Sequence, residues 1–245
     1  MTTAYFDCSH GISGNAILGA LIDCGLPVDA LKATLRCLLD DDRYTFAYEK
    51  IELLSMKATY FDVVIPPDAS QQSIRFDKMI DLVTNSKLKT DIKAKAIDVL
   101  RVLALGYAYA HHCEISEVSF DKNHFIDTMI DVVGACWGLD YFKVDHVMAS
   151  PLHVGSGTIN YRYGTLTIPA PATQHILTDI PHYQTMIQGE LVTPTGAAII
   201  KALTSAYCKH PIINITHIGY GAPIKTLDHP GWLRLTIGKD HHEPK

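Results

Sequence analysis

Three groups of residues in this chain have the types and spacing that chemistry needs. The first is Asp7, Cys8 and His10, followed by Gly11, Ile12, Ser13, Gly14 and Asn15. Asp7 closes a short apolar run, and ligands of open α/β sheets bind at the carboxyl ends of strands. Gly11 and Gly14 permit the tight turn, and the helix that follows exposes N–H groups that attract an anion, worth ~0.3–1 kcal/mol at an exposed site. Cys8 and His10 alternate on the same turn and are donors suited to a borderline-soft metal such as nickel. The same glycines would equally serve a β–α turn that binds nothing.

The second group lies in FIDTMIDVVGACWGLDYF, where Asp127 and Asp131 are four apart and share one helix face. Gly134 and Gly138 continue that stripe. A helix apolar nearly all round belongs in the interior, where carboxylates need partners, a metal or a shifted pKa. The alternative is a solvated stripe with glycines for helix packing. His124 stands just before the pair and is a further candidate metal ligand. The third group is a pair of turns. One carries Gly155 and Gly157; the other, Glu190 to Gly196, has Thr193 as N-cap, Pro194 at the first helical position, then Thr195 and Gly196. Both could hold an anion, although capping alone accounts for the second except for Gly196.

These groups must be positioned by elements the pattern predicts. Strands are expected at 3–8, 45–53, 59–65, 117–120, 147–151, 212–218 and 233–237, and helices near 16–24, 29–39, 76–84, 92–110 and 124–142, with two more before 177 and after 193. Interleaved strands and helices imply an α/β fold with a mixed sheet flanked by helices. One domain over 1–238 is expected, with a subregion boundary in the loop-like stretch 66–73 and a loose tail at 239–245.

The chain has 245 residues, 47% of them hydrophobic, with a formal charge of −5. That charge argues against nucleic acid or an anionic membrane as main partner, though not against a small anion at a local positive site. No stretch reads as a signal peptide or a membrane span. The six cysteines form no CxxC pair, which favours free thiols and a cytoplasmic location. The 13 histidines show no zinc-site spacing. Most stand singly at element ends.

Taken in order, YFDCSHGISGNAILGALIDCGL, DTMIDVVGACWGLDYF, ASPLHVGSGT, YGTLTIPAPAT, GELVTPTGAAI, HIGYGAP and HPGWLRLTIG resemble the LarC-type nickel-insertion family. The resemblance implies insertion of nickel into a pyridinium-3,5-bisthiocarboxylic acid mononucleotide, through two Ni–S bonds and one Ni–C bond, at the expense of CTP with a divalent cation. It also implies that Asp7, Gly11, Ser13, Gly14, Asn15, Gly155, Gly157, Thr193, Thr195 and Gly196 hold the mononucleotide. By the same token Asp127 and Asp131 handle metal or protons, and Cys8, His10 and His124 contribute to nickel. Departures from the family pattern are a loop at 66–73 without histidine, Ser119, Phe120, Asp121 and Lys122 in place of His-Phe-His-Glu, Asn15 for aspartate, and Tyr163 for histidine. A C-terminal nucleotide-binding region of longer members has no counterpart here and is expected from a separately encoded partner; a homo-oligomer is also possible. The competing expectation is a diverged scaffold that kept the fold and anion site but lost metal chemistry.

Overall fold

The computed structural model describes residues 1–39, 44–53, 55–66, 73–161, 164–223 and 231–240. Most of the expected 66–73 boundary, Tyr163, His229 and the residues after Asp240 lie outside them. Strand β1 (Thr2–Asp7) leads into α1 (Gly14–Asp23) and α2 (Val28–Leu35), then the hairpin β2 (Thr45–Leu53) and β3 (Met56–Val64). Next come β4 (Ser73–Arg75), α3 (Phe76–Asn85), α4 (Thr90–His111), β5 (Ser119–Asp121), α5 (Lys122–Tyr141) and β6 (His146–Ala149). Short strands follow: β7 (Leu152–His153), β8 (Gly155–Ser156), β9 (Thr158–Tyr161) and β10 (Gly164–Thr167), then α6 (Pro171–Ile176), β11 (His182–Tyr183) and β12 (Gly189–Glu190). The order closes with α7 (Pro194–Leu203), β13 (Ala206–Tyr207), β14 (Ile213–Gly221) and β15 (Leu233–Asp240).

A seven-stranded sheet in the order β13-β6-β1-β15-β14-β3-β2 carries the fold. It is mixed, as the interleaved pattern implies: β1 runs parallel to β6 and antiparallel to β15, and β14 parallel to β3. The apolar β1 is central because both its edges are paired and most of its residues are buried. Helix α1 starts where the Ser13 hydroxyl accepts the Ala16 N–H at 3.2 Å. It ends at Gly25, whose φ of 108° suits a helix-terminating glycine.

Helix α1 packs on β3, β14 and β15. The approach is backbone to backbone: a Cβ on Gly219 would overlap the Ala20 carbonyl, and one on Gly221 the Ala16 carbonyl. On its other side α1 meets α5. Here the glycine stripe of α5 is a packing seam, since a Cβ on Gly134 would lie 2.8 Å from Leu18 and one on Gly138 2.7 Å from Leu21.

Two expectations need correction. Lys239 and Asp240 are not loose tail. They complete β15, pairing with Thr2 and Ile213, and the Asp240 N–H donates to the Met1 carbonyl at 3.1 Å. The polar side chains that suggested a tail sit at a strand end where backbone pairing, not burial, sets the structure. The strand expected at 117–120 starts later, because 115–117 form a 3₁₀ turn closed by a capping box between Glu114 and Glu117.

The α1–β14 approach gives a test. Gly221→Ala should destabilise the fold by about 1–3 kcal/mol, because overpacking forces the two backbones apart. An unchanged denaturation midpoint would contradict the close approach.

Candidate functional site

The first and third residue groups meet. The Ile12 N–H donates to the Leu191 carbonyl at 2.8 Å, and the Thr193 N–H to the Ile12 carbonyl at 3.1 Å, so the two strand–turn–helix segments are laced together. Gly11 (φ 96°) sits against the Leu191 carbonyl, and Gly155 (φ 78°) against that of Gly189. A Cβ on Gly196 would fall 2.6 Å from the Ile12 carbonyl, and one on Gly157 would overlap the Gln188 side chain. Packing between turns therefore explains these glycines without a ligand. Ser13 and Thr193 are spent on capping their helices, Thr193 accepting the Gly196 N–H at 3.2 Å. Thr195 is buried. Beside the laced turns, His10, Ser13, Asn15, Glu190 and Thr193 line a small hollow.

Behind the α1 N-terminus lie the carboxylates. The α1–α5 seam that joins Gly138 to Leu21 and Gly134 to Leu18 ends with Asp131 against Gly14, where any Cβ would overlap the carboxylate. Asp131 is 2% exposed, and its Oδ1 has no hydrogen-bond partner. The reading of this stripe as solvated is overturned. Asp127 lies one helical turn earlier and is partly buried. A third acid joins them. Asp62 on β3 accepts the Asn15 side-chain amide at 3.4 Å, the Tyr60 hydroxyl at 3.1 Å and the Val63 N–H at 2.8 Å.

Burial raises Asp127 to about 6, with Asp62 adding to the effect. Burial, then Asp127 and then Asp62, raises Asp131 well above the carboxylate range. No ion pair among the described residues reaches any of the three. Burial beside like charges disfavours ionisation, so Asp131 is the member of the group driven furthest toward its protonated form. Sequence reading missed Asp62. Its signal was an acid set between Phe61 and Val63 in an apolar strand, but strand pattern alone does not reveal which helix that face meets.

Asp7 belongs to a different environment. It accepts the Ser9 N–H at 3.2 Å, the Ser9 hydroxyl, and Arg234 at 2.6 Å. Burial alone would raise its pKa, but the Ser9 hydrogen bonds and the Arg234 guanidinium together hold it below the ordinary value. The expected metal ligands do not assemble. Cys8 is fully buried, and burial pushes its thiol far up, reinforced by Asp7, so no thiolate is offered. His10 is exposed at the hollow. His124 packs edge-on against Tyr107 and Phe120, with Nε2 3.3 Å from the Tyr107 hydroxyl, and burial lowers its pKa. Among the described residues no group of three His, Cys, Asp or Glu stands ready to hold a metal ion. Asp121 caps α5 by accepting the His124 N–H at 3.0 Å.

The chain is thus a mixed α/β protein whose first helix begins against a buried carboxylate, Asp131, with Asp127 and Asp62 near enough to shift it. The chain belongs to the nickel insertion protein family, whose sequence profile matches residues 4–245. A relative from Geotalea daltonii is 38% identical over 241 residues, covering 98% of this chain and 61% of its own length. The pyridinium-3,5-bisthiocarboxylic acid mononucleotide nickel insertion protein of Desulfitobacterium hafniense is 36% identical over 245 residues, 100% of this chain and 60% of that protein. The one of the same name from Geobacillus kaustophilus is 32% identical over 254 residues, 98% of this chain and 60% of its own. The chain thus spans about six-tenths of the length of the curated relatives it matches. No solved structure matches it. Among the described residues no helix is long and apolar enough to cross a membrane.

The raised pKa values imply a pH signature. Folded Asp127 and Asp131 hold protons more tightly than an unfolded aspartate near ~3.9, so their contribution is fully present below that pH and is lost as pH rises through about 6 and beyond. Asp131→Asn should flatten this decline. Urea midpoints of parent and variant between acid and neutral pH provide the check, and parallel profiles would show that Asp131 is not held protonated.

Proposed function

We propose that this chain carries the nickel-insertion step on the pyridinium-3,5-bisthiocarboxylic acid mononucleotide named in its relatives. The observation that supports this reading most directly is the buried carboxylate group at the start of α1. Nickel is here a substrate. Forming a Ni–C bond on the ring requires the C–H bond to break: its electron pair becomes the Ni–C bond and the proton goes to a base. Two Ni–S bonds to the thiocarboxylates complete the product.

Asp127 is assigned as that base, because a carboxylate raised to about 6 is ionised at neutral pH yet accepts a proton more readily than an exposed one. Asp131, kept protonated by burial and by Asp127, is assigned to hold the charge of the group at a level that leaves Asp127 active. Asp62 and Asn15 are positioning residues, tying β3 to the first turn of α1. The laced turns fix that first turn and so fix where Asp131 can lie. CTP with a divalent cation is assigned to the part of the relatives that this chain does not span.

The test is product formation from precursor mononucleotide, Ni²⁺ and CTP, with the unmatched region of the Desulfitobacterium hafniense relative added as a separate chain. The rate should rise with pH through about 6, where Asp127 loses its proton. Asp127→Asn should lower it by roughly 100-fold or more while leaving the fold intact. A folded variant that retains both the rate and the pH profile would remove Asp127 from the chemistry.

A further inference from the structure

On the Asp7 side of the β1–α1 turn, a cleft of about 630 Å³ opens at the carboxyl ends of β1 and β6. Ser9, Ser150, Tyr183, Lys209 and His210 line it together with Asp7. In open α/β sheets a crevice forms where the connections from neighbouring parallel strands leave in opposite directions. β1 and β6 are such a pair. After β1 the chain crosses to α1, which lies against β15, β14 and β3; after β6 it returns to the sheet as β13, on the far side of β6.

The wall of the cleft is a built aromatic platform. The Tyr183 ring stacks on His153 at 4.8 Å with planes 3° apart, yet Tyr183 is 40% exposed, so its other face is open. His153 is 2% exposed, and both its ring nitrogens are engaged, Nδ1 with the Ser9 carbonyl at 3.0 Å and Nε2 with the Thr185 hydroxyl at 2.9 Å. The opposite wall is equally fixed. The buried Tyr5 hydroxyl donates to the carbonyls of Cys208 and Lys209 at 3.2 and 2.7 Å, and the Cys208 N–H donates to Ala149 at 2.9 Å. These bonds set the segment that carries Lys209 and His210. Asp7 is already neutralised by Arg234, whereas Lys209 enters no ion pair among the described residues.

A flat open ring face beside an unpaired ammonium and an imidazole suits a ligand that is a planar ring at one end and an anion at the other. The volume falls in the ~300–1,000 Å³ range of small-molecule sites. We propose that this cleft binds a mononucleotide, its ring on Tyr183 and its phosphate at Lys209 and His210. The chemistry has two possible sources, a pyridinium mononucleotide or a pyrimidine nucleotide, and the claim stands on the cleft's own residues whether or not Asp127 is the base.

Calorimetric titration of the full chain with nicotinamide mononucleotide and, separately, with CMP tests it, without nickel or turnover. Saturable binding of one probe is expected. Tyr183→Leu, which still covers His153, should weaken it about fivefold or more, the least that loss of one stacked ring gives. Lys209→Ala should weaken it and reduce its dependence on salt. Lys209 is exposed, so that variant keeps the test readable if Tyr183→Leu does not fold. Preference for nicotinamide mononucleotide would place the substrate ring here and take the role of base from Asp127; preference for CMP would mark a nucleotide other than the substrate. No saturable binding of either probe up to roughly 1 mM, or parent-like binding by the folded variants, overturns the proposal. That failure would leave the nickel-insertion reading untouched, because Asp127 is tested by turnover and not by this titration.

Discussion

The rest of the site depends on the seam between α1 and α5. Three contacts in register, Gly138 with Leu21, Gly134 with Leu18 and Asp131 with Gly14, bring the two helices close enough that the last pair has no room for a Cβ. The first two contacts are apolar and contribute in the ordinary way, by burying surface at about 25 cal/mol per Å². The third is not. It presses a carboxylate against the backbone at a helix start, with one oxygen left without a hydrogen bond. Such a group lowers stability unless it is protonated or meets a partner. The apolar part of the seam thus holds in place an arrangement that would not form by itself.

The same logic extends to the turns. Ile12 exchanges backbone hydrogen bonds with Leu191 and Thr193, which fixes the approach to α1 from the side of α7. On the opposite side Asn15 reaches Asp62 on β3. The first turn of α1 is therefore held from three directions, by α5, by the segment before α7 and by β3. A site built on such a turn is preorganised: the carboxylates need no large rearrangement to keep their spacing.

Much of this could be read from sequence, and the part that could not has a definite physical cause. The mixed α/β class followed from interleaved periodicities, and the glycine stripe of α5 already admitted a packing reading, which the contacts with Leu18 and Leu21 match. The caps at Ser13 and Thr193 are local features, set by side chains one turn from the N–H groups they accept, and local features are the most legible. Asp62 was not legible, because its partners come from α1 and α5, and pairing between distant elements leaves no local trace. Lys239 and Asp240 looked like tail because their strand is held by backbone bonds to Met1 and Thr2, which side-chain polarity does not report. The expected grouping of Cys8, His10 and His124 failed for a related reason. Sequence proximity put Cys8 beside His10, but β1 ends at Asp7 and the chain turns, the Gly11 N–H donating to the Cys8 carbonyl at 3.0 Å, which leaves the thiol buried and His10 exposed.

Asp7 and Asp131 show how one short connection can separate two kinds of carboxylate. Asp7 ends β1 with a guanidinium and two Ser9 hydrogen bonds, and stays ionised. Asp131 lies beyond the other end of the same turn, against Gly14, with burial and two like charges acting on it, and is driven toward the protonated form. The two residues have the same side chain and differ only in what surrounds it. Environments that push like groups apart in pKa are how a protein places an acid and a base within one region at a single pH. Here the division falls along the β1–α1 turn: the ionised side faces the cleft with Tyr183 and Lys209, and the proton-holding side faces the interior between α1, α5 and β3. On the proposed reading, charge recognition and proton handling fall on opposite sides of one loop, and neither has to compromise the electrostatics of the other.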